Sequence, residues 1–252
     1  MEELSKADTQ RIRKLHNKVK KAINDYGLID DGDHILIGLS GGKDSLALVE
    51  LLGERMKIFV PKFKLTAVHI SVENISYQSD LAYLEEHSNH FNIPFVHHVT
   101  KFDETIDESK SKCFLCSWHR RKALFEVAKQ LGCNKIALGH HLDDMVETLL
   151  LNLFYQGSFG TMPPKLQMEK FDMTIIRPLS LITEREMKEM ESIRDYKKQI
   201  KNCPFEKDSS RRDAKNLITE LEKWNPDVRQ SILGAMQNIK TEYLPQKSKY
   251  KA

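Results

Sequence analysis

The run Ile35-Leu36-Ile37-Gly38-Leu39-Ser40-Gly41-Gly42-Lys43-Asp44-Ser45 constrains this chain more than any other stretch. A short apolar segment ends in a turn of small residues, and a helical pattern opens near Leu46. That order is how a chain builds a cradle for phosphate. Two adjacent glycines let backbone N–H groups point inward with no Cβ in the way. The helix that follows contributes its positive N-terminal end. Lys43 adds a full charge, and Ser40 and Ser45 add hydroxyl donors.

The loop is not of the Walker A type. That motif needs glycine where Ile37 stands, and Ser or Thr directly after the lysine, where Asp44 stands. A carboxylate facing phosphates is repelled unless a cation lies between them, so Asp44 points to bound Mg²⁺. An ordinary strand-to-helix turn has no need of Gly-Gly, Lys, Asp and two Ser together.

The rest of the chain predicts an α/β fold. Ile12, Leu15, Val19, Ile23 and Tyr26 recur at helical spacing and stop at Gly27. Strand-like segments follow at His34–Leu39, Leu65–Ile70, Pro94–Val99, Lys135–Gly139 and Thr174–Arg177. Helical patterns separate them at Leu46–Leu52, Ser79–Phe91, Phe114–Leu131 and Asp143–Tyr155. Alternation of this kind predicts a doubly wound, mostly parallel five-stranded sheet, with ligands at the carboxyl ends of the strands. From Thr183 onward the pattern is helical, broken at Pro204 and Pro226. The expected organisation is a basic amphipathic helix over 1–30, an α/β domain over 31–180, a helical extension over 181–243 and a disordered basic tail over 244–252.

Composition excludes little but directs the search for partners. Hydrophobic residues make up 40% of the 252 positions and charged residues 30%. No apolar run approaches the ~20 residues that span a bilayer, and Met1-Glu2-Glu3 opens no apolar signal core, so a cytoplasmic protein without a membrane partner is expected. The net charge is only +3, but the basic residues cluster. Arg11, Arg13, Lys14, Lys18, Lys20 and Lys21 form one stripe without an acid. Arg194, Lys197, Lys198, Lys201, Lys207, Arg211, Arg212 and Lys215 form a second, diluted by acids. Such stripes suit a phosphate backbone, and each taken alone also reads as a solvated helix face.

Two further groups carry chemistry. Gly139-His140-His141-Leu142-Asp143-Asp144 follows a strand directly, so Asp143 or Asp144 can help hold Mg²⁺ and His140 can contact phosphate. Asp143 also reads as a helix N-cap. Cys113-Phe114-Leu115-Cys116 opens a helix, and the nearby Arg120, Arg121 and Lys122 favour thiolates. The pair suits a redox dithiol, half a zinc site completed by Cys203 and His119, or part of an iron–sulfur cluster. Cys133, between a helix and a strand after Gly132, reads as a small apolar filler.

Ser40 to Ser45 matches the Ser-Gly-Gly-x-Asp-Ser signature of the PP-loop ATP pyrophosphatases, and the chain resembles that family (the adenine nucleotide alpha hydrolase-like fold). The resemblance implies ATP cleavage between the α- and β-phosphates. It also implies a nucleotide site of Ser40, Gly41, Gly42, Lys43, Asp44, Ser45, His69, Ile70, Gly139, His140, Asp143 and Asp144, with His69 and Ile70 beside adenine. The segment Cys113–Arg121, with Asn152-Leu153-Phe154-Tyr155, Met162-Pro163-Pro164-Lys165 and Ala235-Met236-Gln237-Asn238, is similar to the tRNA 2-thiocytidine synthetases. That family implies a [4Fe-4S] cluster held by Cys113, Cys116 and, by position, Cys203. This chain has one cysteine in Asn202-Cys203-Pro204-Phe205, where better-known members have two. The function implied is ATP-dependent thiolation of an anticodon-loop cytidine, with Lys43, Asp44 and the three cysteines as catalytic residues. The alternatives are 2-thiouridine synthesis by a related branch, or a nucleotide- or RNA-binding protein with structural zinc. The expected partners are tRNA, a sulfur donor such as a cysteine desulfurase and a second copy of the chain as a homodimer.

Overall fold

A computed structural model describes residues 4–58, 60–73, 79–101, 112–169, 171–199 and 209–245. The elements run α1 (Lys6–Tyr26), β1 (His34–Gly38), α2 (Lys43–Met56), β2 (Lys64–Val72), α3 (Leu81–His90), β3 (Phe95–Thr100), α4 (Lys112–Gln130), β4 (Lys135–Ala137), α5 (Leu142–Gln156), β5 (Lys165–Met168), β6 (Met173–Ile176), α6 (Glu184–Arg194), α7 (Ser209–Trp224) and α8 (Val228–Gln237). They form two compact units, Met1–Leu142 with Pro163–Lys207, and Asp143–Met162 with Asp208–Ala252.

The first unit holds a sheet of order β3-β2-β1-β4-β6-β5. Every pairing is parallel except β5 with β6. The sheet thus has six strands where the sequence pattern predicts five, and the addition is the antiparallel edge strand β5. It is only four residues long, Lys165-Leu166-Gln167-Met168, and the first three are exposed, so its polar–apolar alternation is too short to mark a strand in the sequence.

Period-two alternation sorts the strands between two helical layers. Ile35 and Ile37 of β1 pack into a core with Leu15 and Val19 of α1, Leu48 and Leu52 of α2, and Met187 and Met190 of α6. Leu36, between them, faces the other way and packs with Leu124, Phe125 and Ala128 of α4. β1 is central and completely buried along Ile35–Ile37, as a doubly covered parallel strand requires.

Local chemistry sets the helix ends. Ser5 caps α1 by accepting the Asp8 N–H at 3.1 Å. α1 stops at Gly27, whose φ of 56° is the left-handed conformation of a glycine C-cap. Thr183 and Glu186 form a capping box on α6, and Glu186 also accepts from Lys18 at 2.7 Å. Among the described residues, no helix is long and apolar enough to cross a membrane.

Candidate nucleotide and sulfur-transfer site

Strand order reverses at β1, because the chain moves outward to β2 and β3 and then returns to β4 on the other side. The crevice between the carboxyl ends of β1 and β4 is the switch point where open α/β sheets bind ligands. Both sequence motifs of the first unit exit there: Ser40–Ser45 from β1, and Gly139-His140-His141 from β4.

The loop has the form of an anion cradle. Gly41 adopts φ +81°, a conformation that L side chains rarely take. Gly42 is the N-cap of α2, so the first amides of that helix face the loop. The hydroxyl of Ser40 donates to Ser45 Oγ at 3.2 Å, and that of Ser45 donates to the Gly42 carbonyl at 2.9 Å. Gly139 lies so close that a Cβ there would stand 3.1 Å from the carbonyl carbon and oxygen of Asp44. The absence of a side chain at 139 therefore brings the β4 exit against the start of α2.

Asp44 is where a cation fits. One carboxylate oxygen accepts from Lys43 Nζ at 3.0 Å. The other, Oδ1, is buried and has no hydrogen-bond partner. A buried carboxylate oxygen left unmatched is costly, and Mg²⁺ bound by one carboxylate together with phosphate oxygens would satisfy it.

His69 closes the floor of the loop. Its Nδ1–H donates to the Leu39 carbonyl at 2.7 Å, one residue before Ser40. Burial holds its pKa below the ordinary range against the opposing effect of the Leu39 hydrogen bond, and the nearby His97 and Arg120 lower it further. His69 thereby ties β2 to the loop, and its buried Nε2 has no hydrogen-bond partner. Ile70, beside it, is half-buried.

At the β4 exit, Arg177 is 5% exposed. Its Nε donates to His140 Nδ1 at 3.2 Å and its Nη1 to the Pro163 carbonyl at 2.5 Å. Burial and the neighbouring Arg121 lower its pKa to about 10. Arg177 is thus a buried brace that fixes the His140 ring, and His141 is buried beside it in the chain.

Asp143 and Asp144 belong to the second unit, in the first turn of α5. The helix begins at Leu142, so Asp143 is inside it and is not its N-cap. Asp143 Oδ1 accepts from Arg229 Nε of α8 at 2.5 Å, and Arg229 also pairs with Glu222 of α7. No feature of the sequence singles out Arg229.

Cys113 and Cys116 occupy the first turn of α4, where a spacing of three puts two positions on one face. Cys116 is 8% exposed and packs with Val72, at the carboxyl end of β2. It therefore sits at the same end of the sheet as the loop. The positive end of a helix is in general a setting that suits thiolate ligands. Cys203 lies outside the described residues. Among the described residues, no group of three or more His, Cys, Asp or Glu could hold a metal ion by itself. Cys133 packs with Leu36, Phe125 and Ile136, and burial pushes its thiol up to about 11, so it is an inert core residue.

The chain is similar to known proteins in sequence and in fold. A family model described as a PP-loop domain matches residues 9–218. A tRNA-cytidine(32) 2-sulfurtransferase of Geobacter sulfurreducens is 39% identical over 241 residues, covering 94% of each chain. One from Aliivibrio fischeri is 35% identical over 97% of this chain and 82% of the relative. The structure of the U34-tRNA thiolase of Methanococcus maripaludis with its [4Fe-4S] cluster superposes with a TM-score of 0.74 at 25% identity, over 96% of this chain and 82% of that one. With its loop, switch point and relatives in agreement, the chain belongs to the PP-loop family, among the tRNA-cytidine(32) 2-sulfurtransferases.

Proposed function

We propose that this protein is an ATP-dependent tRNA thiolase that converts an anticodon-loop cytidine to 2-thiocytidine. The observation that carries the reading is the shared position, at the carboxyl end of one sheet, of the Ser40–Ser45 loop and the Cys116 turn.

The chemical problem is that the C2 oxygen of cytidine is a poor leaving group. The loop amides and Lys43 bind and orient the ATP phosphates, and their charges stabilise the transition state as the base oxygen attacks the α-phosphorus. Pyrophosphate leaves. Sulfide, released from the persulfide of a donor such as a cysteine desulfurase by two-electron reduction with a thiol that ends as a disulfide, then forms the C2–S bond, and AMP carries away the oxygen. Asp44 would hold Mg²⁺, which supplies charge neutralisation when bound. Cys113, Cys116 and Cys203 would hold a [4Fe-4S] cluster, which supplies a binding place for sulfur near the base. The remaining work is positioning, since the activated carbon and the sulfur must meet at one base. An anticodon-loop base can be splayed out for this.

The 25% identity to a uridine-modifying thiolase supports a second reading, 2-thiouridine synthesis. The 39% identity to cytidine-modifying relatives weighs more. Nucleoside analysis of tRNA from cells lacking the gene decides between them. The expected result is loss of 2-thiocytidine, restored by the wild-type chain and by neither Asp44→Asn nor Cys116→Ser. Loss of 2-thiouridine instead establishes the second reading, and unchanged thionucleosides refute both.

A further inference from the structure

The chain leaving α6 does not run free over the surface. Asp195 ends the helix at φ 47°, in the left-handed region, and turns the chain back toward α2. Arg194 Nε donates to Glu50 Oε1 at 2.8 Å, and the Tyr196 hydroxyl donates to Glu50 Oε2 at 2.8 Å. Glu50 is 1% exposed and lies on α2, the helix that begins at the phosphate loop. The Tyr196 ring stands edge-on to His87, which donates to the Leu46 carbonyl of the same helix at 3.0 Å. Next, Lys197 pairs with Asp80, and its backbone N–H donates to the Tyr83 hydroxyl at 3.1 Å. Asp80 is the N-cap of α3. Its backbone N–H donates to Gln199 Oε1 at 2.7 Å.

These anchors deliver Gln199 onto the phosphate loop. A Cβ built on Gly41 would lie 2.7 Å from Gln199 Cγ and 3.5 Å from both Gln199 Cδ and Leu84 Cδ2. Gln199 therefore fills the space that Gly41 leaves by having no side chain. The glycine is needed for its φ, but a glycine in a loop also brings the greatest freedom to leave that conformation. A side chain packed against the Cα removes that freedom from one side.

We propose that Gln199 is a positioning residue of the nucleotide site, and that the strap Arg194–Gln199 holds the phosphate loop in its anion-binding form. The proposal rests on the reading of that loop as the ATP site. Gln199 acts through Gly41 and its aliphatic stem, not as a donor to phosphate. The phosphate affinity of the loop thus depends on a segment of the chain beyond α6.

The test is equilibrium binding of ATP and of adenosine to the full-length chain carrying Gln199→Ala or Gln199→Met. Q199A is expected to weaken ATP binding about tenfold, which is ~1.4 kcal/mol, and to leave adenosine binding unchanged. Hydrogen exchange at residues 40–43 should quicken while the core strands stay protected. Q199M keeps the Cγ packing and should bind ATP within about twofold of wild type. Equal weakening of ATP and adenosine by Q199A would mean general loss of structure and overturn the proposal. So would unchanged ATP affinity, or a Q199M variant as impaired as Q199A, which would place the effect in the amide group and not in the aliphatic stem. A wild-type chain that binds no ATP overturns the nucleotide reading itself, a failure visible before any variant is made.

Discussion

Asp44 and Glu147 show how surroundings divide the work of carboxylates. Asp44 keeps one oxygen on Lys43 and the other buried without a partner, at the mouth of a phosphate cradle. Glu147, one turn beyond Asp143 on α5, is half-buried, and its pKa is raised to about 7 by burial first and then by Asp144. Lys215 and Arg211 oppose that rise, and Asp143 adds to it. The folded pKa is thus above the unfolded one, so the stabilisation by the neutral form is complete below about pH 4.5 and fades as pH climbs through 7. Glu147→Gln stays neutral throughout. Urea unfolding at pH 4.5, 6 and 8 should show the wild type losing on the order of 2 kcal/mol relative to E147Q across that range. Parallel stabilities at all three values would contradict the assignment.

At the scale of elements, α2 ties several parts of the first unit together. It starts at the phosphate loop, packs its apolar face on β1, and holds Arg194 and Tyr196 through Glu50. Glu50 interrupts the apolar run Leu46–Leu52, and an acid there is the one trace the strap leaves in the sequence. Glu50→Ala should destabilise the fold by about 2–4 kcal/mol, because the partly buried Arg194 guanidinium loses its counter-charge and the buried Tyr196 hydroxyl its acceptor. It should also weaken ATP binding through the strap. Thermal melts and ATP titration of the same variant check both, and a variant with wild-type melting sinks the idea that the pair is structural. Helix limits are readable where a capping signal marks them, as at Gly27. β5 is not readable, because its short, exposed sequence has meaning only beside β6.

At the scale of the whole molecule, the basic stripes look different once folded. Arg11 pairs with Asp8, Lys18 with Glu186 and Lys21 with Asp25, so half of the α1 stripe is matched within the chain. Arg194 and Lys197 of the second stripe are matched by Glu50 and Asp80. Arg13, Lys14 and Lys20 remain exposed on α1. Reversing these three charges should weaken tRNA binding and lower the slope of log K against log salt by about one unit for each phosphate no longer neutralised. Filter binding at several salt concentrations measures it, and an unchanged slope clears α1 of a role in holding RNA.

The phosphate loop, the order of strands and helices, the covered central strand and the paired cysteines of α4 all follow from residues close together in the chain. Backbone freedom at glycine, period-two burial and first-turn spacing are local properties, so they can be read without coordinates. Folding alone decided that Gln199 rests on Gly41, that Glu50 holds a strap 144 positions away, and that Arg177 braces His140. Those pairings arise from packing between elements remote in the chain, and no local pattern of residue types encodes which distant side chain will fill a given space.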